Sequence, residues 1–159
     1  MRDILKILES DSRLSPEEIA TMTDRPVEEV RQIIQDCEHK GIIRRYKTVI
    51  DWEKVGEERL FAFIDVSVSP ERGVGFDDIA ERIYRYPEVH SVYLVSGTHD
   101  LRVMVGGDSM KEVAFFVAEK LATIDRVQGT TTHFLLKTYK ADGDIFETPP
   151  PDRRLAVAP

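Results

Sequence analysis

Apolar residues in the first fifty positions recur at intervals of three and four, which is the period of amphipathic helices. Ile4, Ile7 and Leu8 give helix one such a stripe. Residues 15–18, Ser-Pro-Glu-Glu, are typical of a helix start, because serine caps the first turn, proline fits it and glutamate completes a capping box. We expect three apolar residues of the short helix two to point inward: Ile19, Ala20 and Met22.

A break at residues 23–26, Thr-Asp-Arg-Pro, separates helix two from a longer third helix. The stripe of helix three ends before Gly41, a residue type that commonly terminates helices. This stripe consists of Val27, Val30, Ile33, Ile34 and Cys37. The following Gly-Ile-Ile-Arg-Arg-Tyr predicts a short basic hairpin. Two helices joined by a tight break and followed by such a hairpin are typical of a winged helix-turn-helix.

From Leu60 the period of the pattern changes, and strands alternate with helices. The predicted order is strand, helix, strand, strand, helix, strand, over residues 60–68, 74–86, 89–95, 101–105, 110–121 and 127–138. This βαββαβ order predicts a ferredoxin-like α+β domain, in which both helices lie on one face of an antiparallel sheet. Ala62, Ile64 and Val66 form the cleaner apolar side of the first strand. We expect that side to face away from the helices and to be covered by a second copy of the sheet, which predicts a homodimer.

Composition limits the classes of function. Hydrophobic residues make up 42% and charged residues 32% of the chain, which is typical of a folded globular protein. No apolar run approaches a membrane-spanning length and no apolar signal core follows Met1, so we expect a cytoplasmic protein without a membrane partner. The single cysteine, Cys37, excludes an internal disulfide framework and a cysteine-built zinc site. We expect no cofactor, no metal and no catalytic residues, because no Gly-rich phosphate loop or nucleophile motif is present.

The net charge of −7 is unevenly distributed along the chain. Residues 1–50 hold nine Lys and Arg against ten Asp and Glu, a net charge of −1, which leaves −6 for the remainder. Residues 40–47, which we call the basic segment, carry four bases and no acid. The pattern favours a DNA-binding domain over 1–50, a linker over 51–59, the βαββαβ domain over 60–140 and a turn-rich tail over 141–159.

Several short motifs in a fixed order carry a resemblance to a known family. They are Arg13-Leu14-Ser15 with Ile19-Ala20, Gly41-Ile42-Ile43, Val49-Ile50-Asp51 with Gly56, Gly97-x-x-Asp100-Leu101, and Val127 with Thr130-Thr131-Thr132. With the winged helix-turn-helix and the βαββαβ order, the chain resembles the Lrp/AsnC family of leucine-responsive and asparagine-responsive "feast/famine" regulators. The resemblance runs from about residue 3 to residue 140.

The resemblance implies dimers with packed C-terminal sheets, and octamers or related rings that bind double-stranded DNA. It also implies a small effector, usually an amino acid, near the turn at residues 97–100. In a helix-turn-helix the third helix enters the major groove, while a basic wing reaches phosphate. The DNA-binding candidates are therefore Arg25, Glu28, Arg31, Gln32, Gln35, Arg44, Arg45 and Lys47.

The effector candidates combine a turn with a run of hydroxyls. Backbone N–H groups around Gly97 can receive a carboxylate, Asp100 can receive an ammonium group, and the threonines add hydroxyls. The same residues also fit purely structural roles. Gly97 suits the positive φ of a plain hairpin turn, and threonine is a residue that favours strands. The set is Gly97, Thr98, His99, Asp100, Thr130, Thr131 and Thr132.

Two other classes of function stay open from the residues. Glu28 and Glu29 are unhelpful against phosphate, and Ile33 stands where the family usually has an arginine. These departures favour an effector-sensing assembly module with weakened DNA binding. Siroheme decarboxylases share the family architecture and use histidine near the same region, which keeps an enzyme as a third alternative.

Overall fold

The structure is a computed structural model that describes residues 1–57, 59–69 and 75–146. The chain forms two compact units, of which the first is Met1–Ile50 and the second begins at Asp51. This division falls where the composition changes from helical to alternating patterns.

The first unit contains three helices, α1 (Arg2–Ser10), α2 (Pro16–Thr23) and α3 (Val27–His39). Its buried core is small and apolar, and consists of Ile4, Leu8, Ile19, Ala20 and Val30. The predicted capping box starts α2, because the Ser15 backbone N–H donates to Glu18 Oε2 at 2.7 Å and the Glu18 N–H donates to Ser15 Oγ at 3.3 Å. Met22 is 61% exposed, so the expectation that it points inward is wrong. Helix α2 ends one residue after it and buries only the face that carries Ile19 and Ala20.

The turn between α2 and α3 is held by the backbone. Asp24 adopts a left-handed conformation with φ of 51°, and the Arg25 N–H donates to the Ala20 carbonyl at 3.1 Å. Pro26 then precedes the first residue of α3, where its missing N–H costs no hydrogen bond. These features produce the tight break predicted between the two helices.

The basic segment follows α3 without forming a hairpin. No strand is present in the described residues 42–50, so the short hairpin expected there is not formed. The chain turns at Gly41, which has a φ of 64°, and the segment then runs exposed, with Tyr46 Oη donating to Glu38 at 2.8 Å. Without a partner strand, the segment cannot form the hydrogen-bonded ladder of a hairpin.

The second unit contains one four-stranded antiparallel sheet and two main helices. The strands are β1 (Leu60–Val68), β2 (Val89–Leu94), β3 (Leu101–Gly107) and β4 (Val127–Phe134), in the spatial order β2-β3-β1-β4. A short helix α4 (Trp52–Val55) precedes them, and α5 (Asp77–Tyr84) connects β1 to β2. Helix α6 (Met110–Phe116) continues as a π-helical turn over Val117–Leu121. The element order is the predicted βαββαβ.

The helices cover the side of β1 that the sequence assigns to the partner sheet. Ala62, Ile64 and Val66 are fully buried in one cluster with α5 and α6, through residues such as Ile79 and Phe116. The expectation that they face away from the helices is therefore wrong. Two helices packed on a sheet bury an apolar surface, just as a second sheet would. The cleaner apolar side of β1 is therefore used for the helices.

The opposite side, which we call the second face, carries alternate residues of each strand. By register it contains Phe61, Phe63 and Asp65 from β1, Arg102 and Met104 from β3, Thr131 and His133 from β4, and His90 and Tyr93 from β2. It is thus a mixture of aromatic, charged and imidazole side chains around one carboxylate.

The ends of the second unit differ slightly from the sequence expectations. The last main strand ends at Phe134 rather than near residue 138, and a small hairpin of β5 (Lys140–Ala141) and β6 (Asp144–Ile145) follows. The predicted linker contains α4, whose first turn Asp51 caps by accepting from the Lys54 N–H at 3.3 Å. Val74, the first residue of the helix predicted over 74–86, lies outside the described residues, and so do residues 147–159 of the predicted tail.

Candidate functional site

Arg25, just before α3, and Arg31, on α3, are already engaged with neighbouring acids. Arg25 lies 2.6 Å from Glu29 and 3.3 Å from Asp3, while Arg31 pairs with Glu17. These pairs are largely exposed, and exposed ion pairs contribute only about 0–1 kcal/mol each, so a phosphate can displace them at little cost.

The polar side chains on α3 differ in whether they already hydrogen-bond to another residue of the chain. Gln32 Nε2 donates to Asp36 at 2.8 Å, while Gln35 is exposed. Glu28 is 90% exposed, and Arg31 Nε lies 3.8 Å from its carboxylate. Glu28, Gln32 and Gln35 thus present both acceptors and donors, the two kinds of group that base edges require.

Arg44 and Arg45 stand apart from these cations. Both are exposed, and neither makes an ion pair with any residue in the described part of the chain. Lys47 is also exposed, and unlike the two arginines it already interacts with another group of the protein. The basic segment therefore presents two guanidinium groups with no carboxylate partner among the described residues.

The turn between β2 and β3 lies beside the end of β1. Gly97 has a φ of 145°, a conformation that favours glycine, and a Cβ there would meet nothing within 4 Å. The Asp100 N–H donates to the Val66 carbonyl at 3.1 Å, and Asp100 Oδ2 accepts from the Val68 N–H at 2.8 Å. Asp100 thus fixes the turn to β1 in addition to any role toward a ligand.

The three threonines of β4 fall on two sides of the sheet. Thr130 and Thr132 pair with Val66 and Ile64, the helix-facing residues of β1. Thr131 pairs with Asp65 and lies on the second face. The structure therefore brings Thr130 and Thr131 to the same end of β1 as the Gly97–Asp100 turn, and it separates their hydroxyls by face.

A cluster of charged and imidazole groups on the second face was missed by sequence reasoning. Asp65 is 5% exposed, and Arg102 binds its carboxylate with both forks of the guanidinium, at 2.7 Å from Nε and 2.9 Å from Nη2. His133 Nε2 lies 3.4 Å and His99 Nδ1 lies 3.9 Å from Asp65 Oδ2. We call these four residues the Asp65 cluster.

Arg102 controls the ionisation of this carboxylate. Its hydrogen bonds hold the pKa of Asp65 below the usual value, against the burial that raises it, and the charge of Arg102 and the neighbouring imidazoles acts in the same direction as the hydrogen bonds. The signal available in the sequence was an Asp in the middle of a mostly apolar strand. Its partners lie 34 or more positions further along the chain, and only the strand register brings them to it.

The described residues contain no group of three or more His, Cys, Asp or Glu side chains placed to hold a metal ion. Within the same ranges, none of the helices has the length and apolar character needed to cross a membrane.

The structure combines a three-helix unit, which is followed by the basic segment, with a βαββαβ unit, and both parts match families of known proteins. Residues 1–44 match the family described as winged helix-turn-helix DNA-binding, and residues 61–145 match the Lrp/AsnC ligand binding domain. The chain belongs to the Lrp/AsnC family and is a DNA-binding transcriptional regulator of that family.

Curated relatives with regulator names extend over nearly the whole chain. The HTH-type transcriptional regulator YugG of Bacillus subtilis is 54% identical over 99% of this chain and 95% of its own length. The HTH-type transcriptional regulator FL11 of Pyrococcus horikoshii is 30% identical over 91% of this chain and 92% of its own.

Solved structures show the same architecture. The feast or famine regulatory protein Rv3291c from M. tuberculosis, in complex with L-methionine, aligns with a TM-score of 0.72 and 26% identity, covering 89% of this chain and 92% of its own. The transcriptional regulator NMB0573 from Neisseria meningitidis, also in complex with L-methionine, aligns with a TM-score of 0.70 and 27% identity, covering 87% and 89%.

Proposed function

We propose that this regulator binds double-stranded DNA with α3 in the major groove and with Arg44 and Arg45 on backbone phosphates. The observation that carries this proposal is the exposure of these two arginines, which have no ion-pair partner among the described residues and lie a few residues after the end of α3. Phosphate contacts supply most of the affinity of such proteins, so the basic segment contributes affinity rather than sequence preference. Lys47 adds a third base to the same segment.

Sequence preference comes from α3. Gln35 offers an amide able to donate to and accept from adenine, and Glu28 offers an acceptor for the cytosine N4 amino group. Arg25, Arg31 and Gln32 are held near acids of the first unit, and we propose that they exchange those partners for DNA. This exchange reconciles DNA binding with the acidic start of α3, which the alternative of weakened DNA binding takes as evidence of loss.

Fluorescence anisotropy on labelled DNA from the protein's own upstream region tests the role of the basic segment. The double variant Arg44→Ala, Arg45→Ala should weaken binding to all sequences and reduce the slope of log affinity against log salt by about 1.8, since each phosphate that a base neutralises contributes about 0.9. The matched control is Arg2→Ala, Lys6→Ala, which removes the same charge from exposed positions of α1. An unchanged slope in the Arg44, Arg45 variant contradicts the proposal, and no binding by the wild type favours the assembly-module alternative.

We also propose that an amino acid binds at the Gly97–Asp100 turn and modulates this activity. Support comes from two related regulators whose structures contain L-methionine and from the exposed backbone at Gly97. The carboxylate of the ligand would meet backbone N–H groups and Thr98, and its ammonium would meet Asp100. Because Thr130 and Thr131 point to opposite faces of the sheet, one bound ligand would reach only one of their two hydroxyls. His99 and Thr132 flank these groups and complete the candidate set.

A thermal-shift screen of the twenty amino acids tests this site. A ligand at 100 times its Kd should raise the free energy of unfolding by about 2.7 kcal/mol. Asp100→Asn is the informative variant, because an amide oxygen keeps the acceptor for the Val68 N–H while the negative charge is lost. Stabilisation that is undiminished in Asp100→Asn places the ligand elsewhere, and the absence of any stabilising amino acid leaves the turn as a hairpin connection.

The third part of the proposal is assembly of two copies through the second face, with dimers joining into an octamer or related ring. Phe61, Phe63 and Met104 provide apolar contact area on this face, and the family resemblance implies packed sheets. Light scattering should give a mass of at least twice the 18.2 kDa of one chain. Phe63→Glu should shift the population toward the single chain, because a carboxylate then faces a dry interface. A single-chain mass for the wild type at micromolar concentration contradicts assembly.

A further inference from the structure

We propose that the Asp65 cluster makes assembly through the second face dependent on pH, with the dimer favoured when His99 and His133 are neutral and weakened when they are protonated. The inference rests on the proposed dimer and adds a regulatory property to it. It depends chiefly on Asp65, Arg102 and His133, side chains that neither DNA binding nor effector binding uses.

The geometry places two imidazoles against a carboxylate that is already neutralised. Arg102 donates to both oxygens of Asp65, so the pair carries no net charge. His133, on β4, and His99, in the turn before β3, approach the same oxygen, Oδ2, from two other elements. A proton added to either ring therefore adds a charge that the single carboxylate does not fully compensate.

Assembly would bury these charges. The side chains of His133 and Arg102 are 56% and 50% exposed, so water solvates them in one chain. Packed sheets lie about 10 Å apart, which leaves little room for that water. With all four imidazoles of a dimer protonated, four uncompensated charges would share this interface, at a cost in desolvation and in repulsion that salt screens weakly.

The remaining groups on the second face do not reverse the expected direction of the pH effect, in which protonation weakens the dimer. Across the sheet they are Asp65 and Arg102, whose charges cancel, Tyr93 on β2 beside Arg102, and His90 on β2. His90 packs edge-on against the Phe61 ring with centroids 5.2 Å apart, and its own protonation would add positive charge to the same face. Among the described strand residues, no second carboxylate lies on this face by register. Histidine is the side chain whose charge commonly changes near neutral pH, so the test spans about pH 7.5 to 5.5.

Sedimentation equilibrium of the full chain at constant ionic strength between about pH 7.5 and 5.5 tests the proposal. Linkage requires Kd to change about tenfold for each group whose pKa assembly shifts by one unit. We expect the wild-type Kd to rise at least about tenfold at the lower pH, and the double variant His99→Gln, His133→Gln to lose most of this rise. The control is His39→Gln, an exposed position of α3 in the first unit, which should follow the wild type.

The outcomes separate this inference from the proposed dimer. A wild type that is dimeric at pH 7.5 with a Kd independent of pH overturns the pH inference and leaves assembly standing, as does a double variant that keeps the full pH dependence. A single chain at pH 7.5 overturns both. Circular dichroism checks folding, and if the double variant does not fold, His99→Gln and His133→Gln are measured singly, each expected to reduce the rise.

Discussion

The pairing of Asp65 with Arg102 gives the sharpest prediction about stability, because the two residues lie directly opposite each other on β1 and β3. A double-mutant cycle isolates their interaction. Asp65→Asn removes the negative charge with little change in shape, and Arg102→Met removes the guanidinium while it keeps an unbranched apolar side chain. The coupling energy is the difference between the effect of the double variant and the sum of the two single effects.

The structure sets the size of that coupling. The carboxylate is almost fully buried, and hydrogen bonds to charged groups are worth about 1.5–3 kcal/mol. The Arg102 side chain is 50% exposed, so water competes for its donors and reduces the value from the roughly 3–5 kcal/mol typical of breaking a fully buried pair. We expect a coupling of about 1.5–2 kcal/mol, with Asp65→Asn alone costing about 2 kcal/mol.

Urea denaturation at fixed protein concentration measures these free energies, since any assembly ties stability to concentration. The pH dependence has a definite sign. Because Arg102 lowers the pKa of Asp65 in the folded chain, the contribution is fully present above the unfolded pKa of about 3.9 and is lost as the pH falls through the lower folded value. The cycle is therefore measured at pH 8, far above the range in which Asp65 takes up a proton and above the range in which His99 and His133 are proposed to change charge. A coupling below about 0.5 kcal/mol at pH 8 would mean that Arg102 does not stabilise the buried carboxylate in solution.

Three further predictions concern the cap, the core and a tyrosine. Ser15→Ala should lower the free energy of unfolding by about 1 kcal/mol, because the first turn of α2 loses its side-chain acceptor; an unchanged thermal midpoint would contradict this. Ile64→Ala should cost about 2–5 kcal/mol in urea denaturation, since Ile64 is fully buried between the sheet and the helices, and a cost below about 1 kcal/mol would mean that the site collapses around the cavity. Burial and the hydrogen bond to Glu38 raise the pKa of Tyr46 to about 12, so the near-ultraviolet absorbance of wild type and Tyr46→Phe should differ in titration only above about pH 11; a difference that develops near pH 10 would contradict that contact.

Local interactions explain why the order and type of the main elements can be predicted from the sequence. The capping residues at 15–18, the break at 23–26 and the apolar stripes act within a few positions, so they can be read directly from spacing. The change from helical to alternating patterns likewise predicts a three-helix part followed by a βαββαβ part. The family resemblance then follows from short motifs whose order the chain preserves.

The backbone conformation of the basic segment could not be predicted from local patterns. Four bases at 40–47 indicate a cationic surface, and they do not specify whether the chain there pairs into a hairpin. Strand pairing requires a partner with matching register, and the described residues 42–50 provide none. The sequence therefore indicates where phosphate contact is expected, and it does not determine the backbone that presents the arginines.

The roles of the two sides of the sheet depend on tertiary packing alone. One side of β1 is wholly apolar and the other carries two phenylalanines beside Asp65 and Ser67, so either side could bury apolar surface. Alternation cannot say which one meets the helices, because that depends on where α5 and α6 cross the sheet. The helices take Ala62, Ile64 and Val66, which leaves Asp65 on the second face. The long-range register then sets Arg102 and His133 beside it from strands that lie far apart in the chain, so the Asp65 cluster exists only in the folded protein.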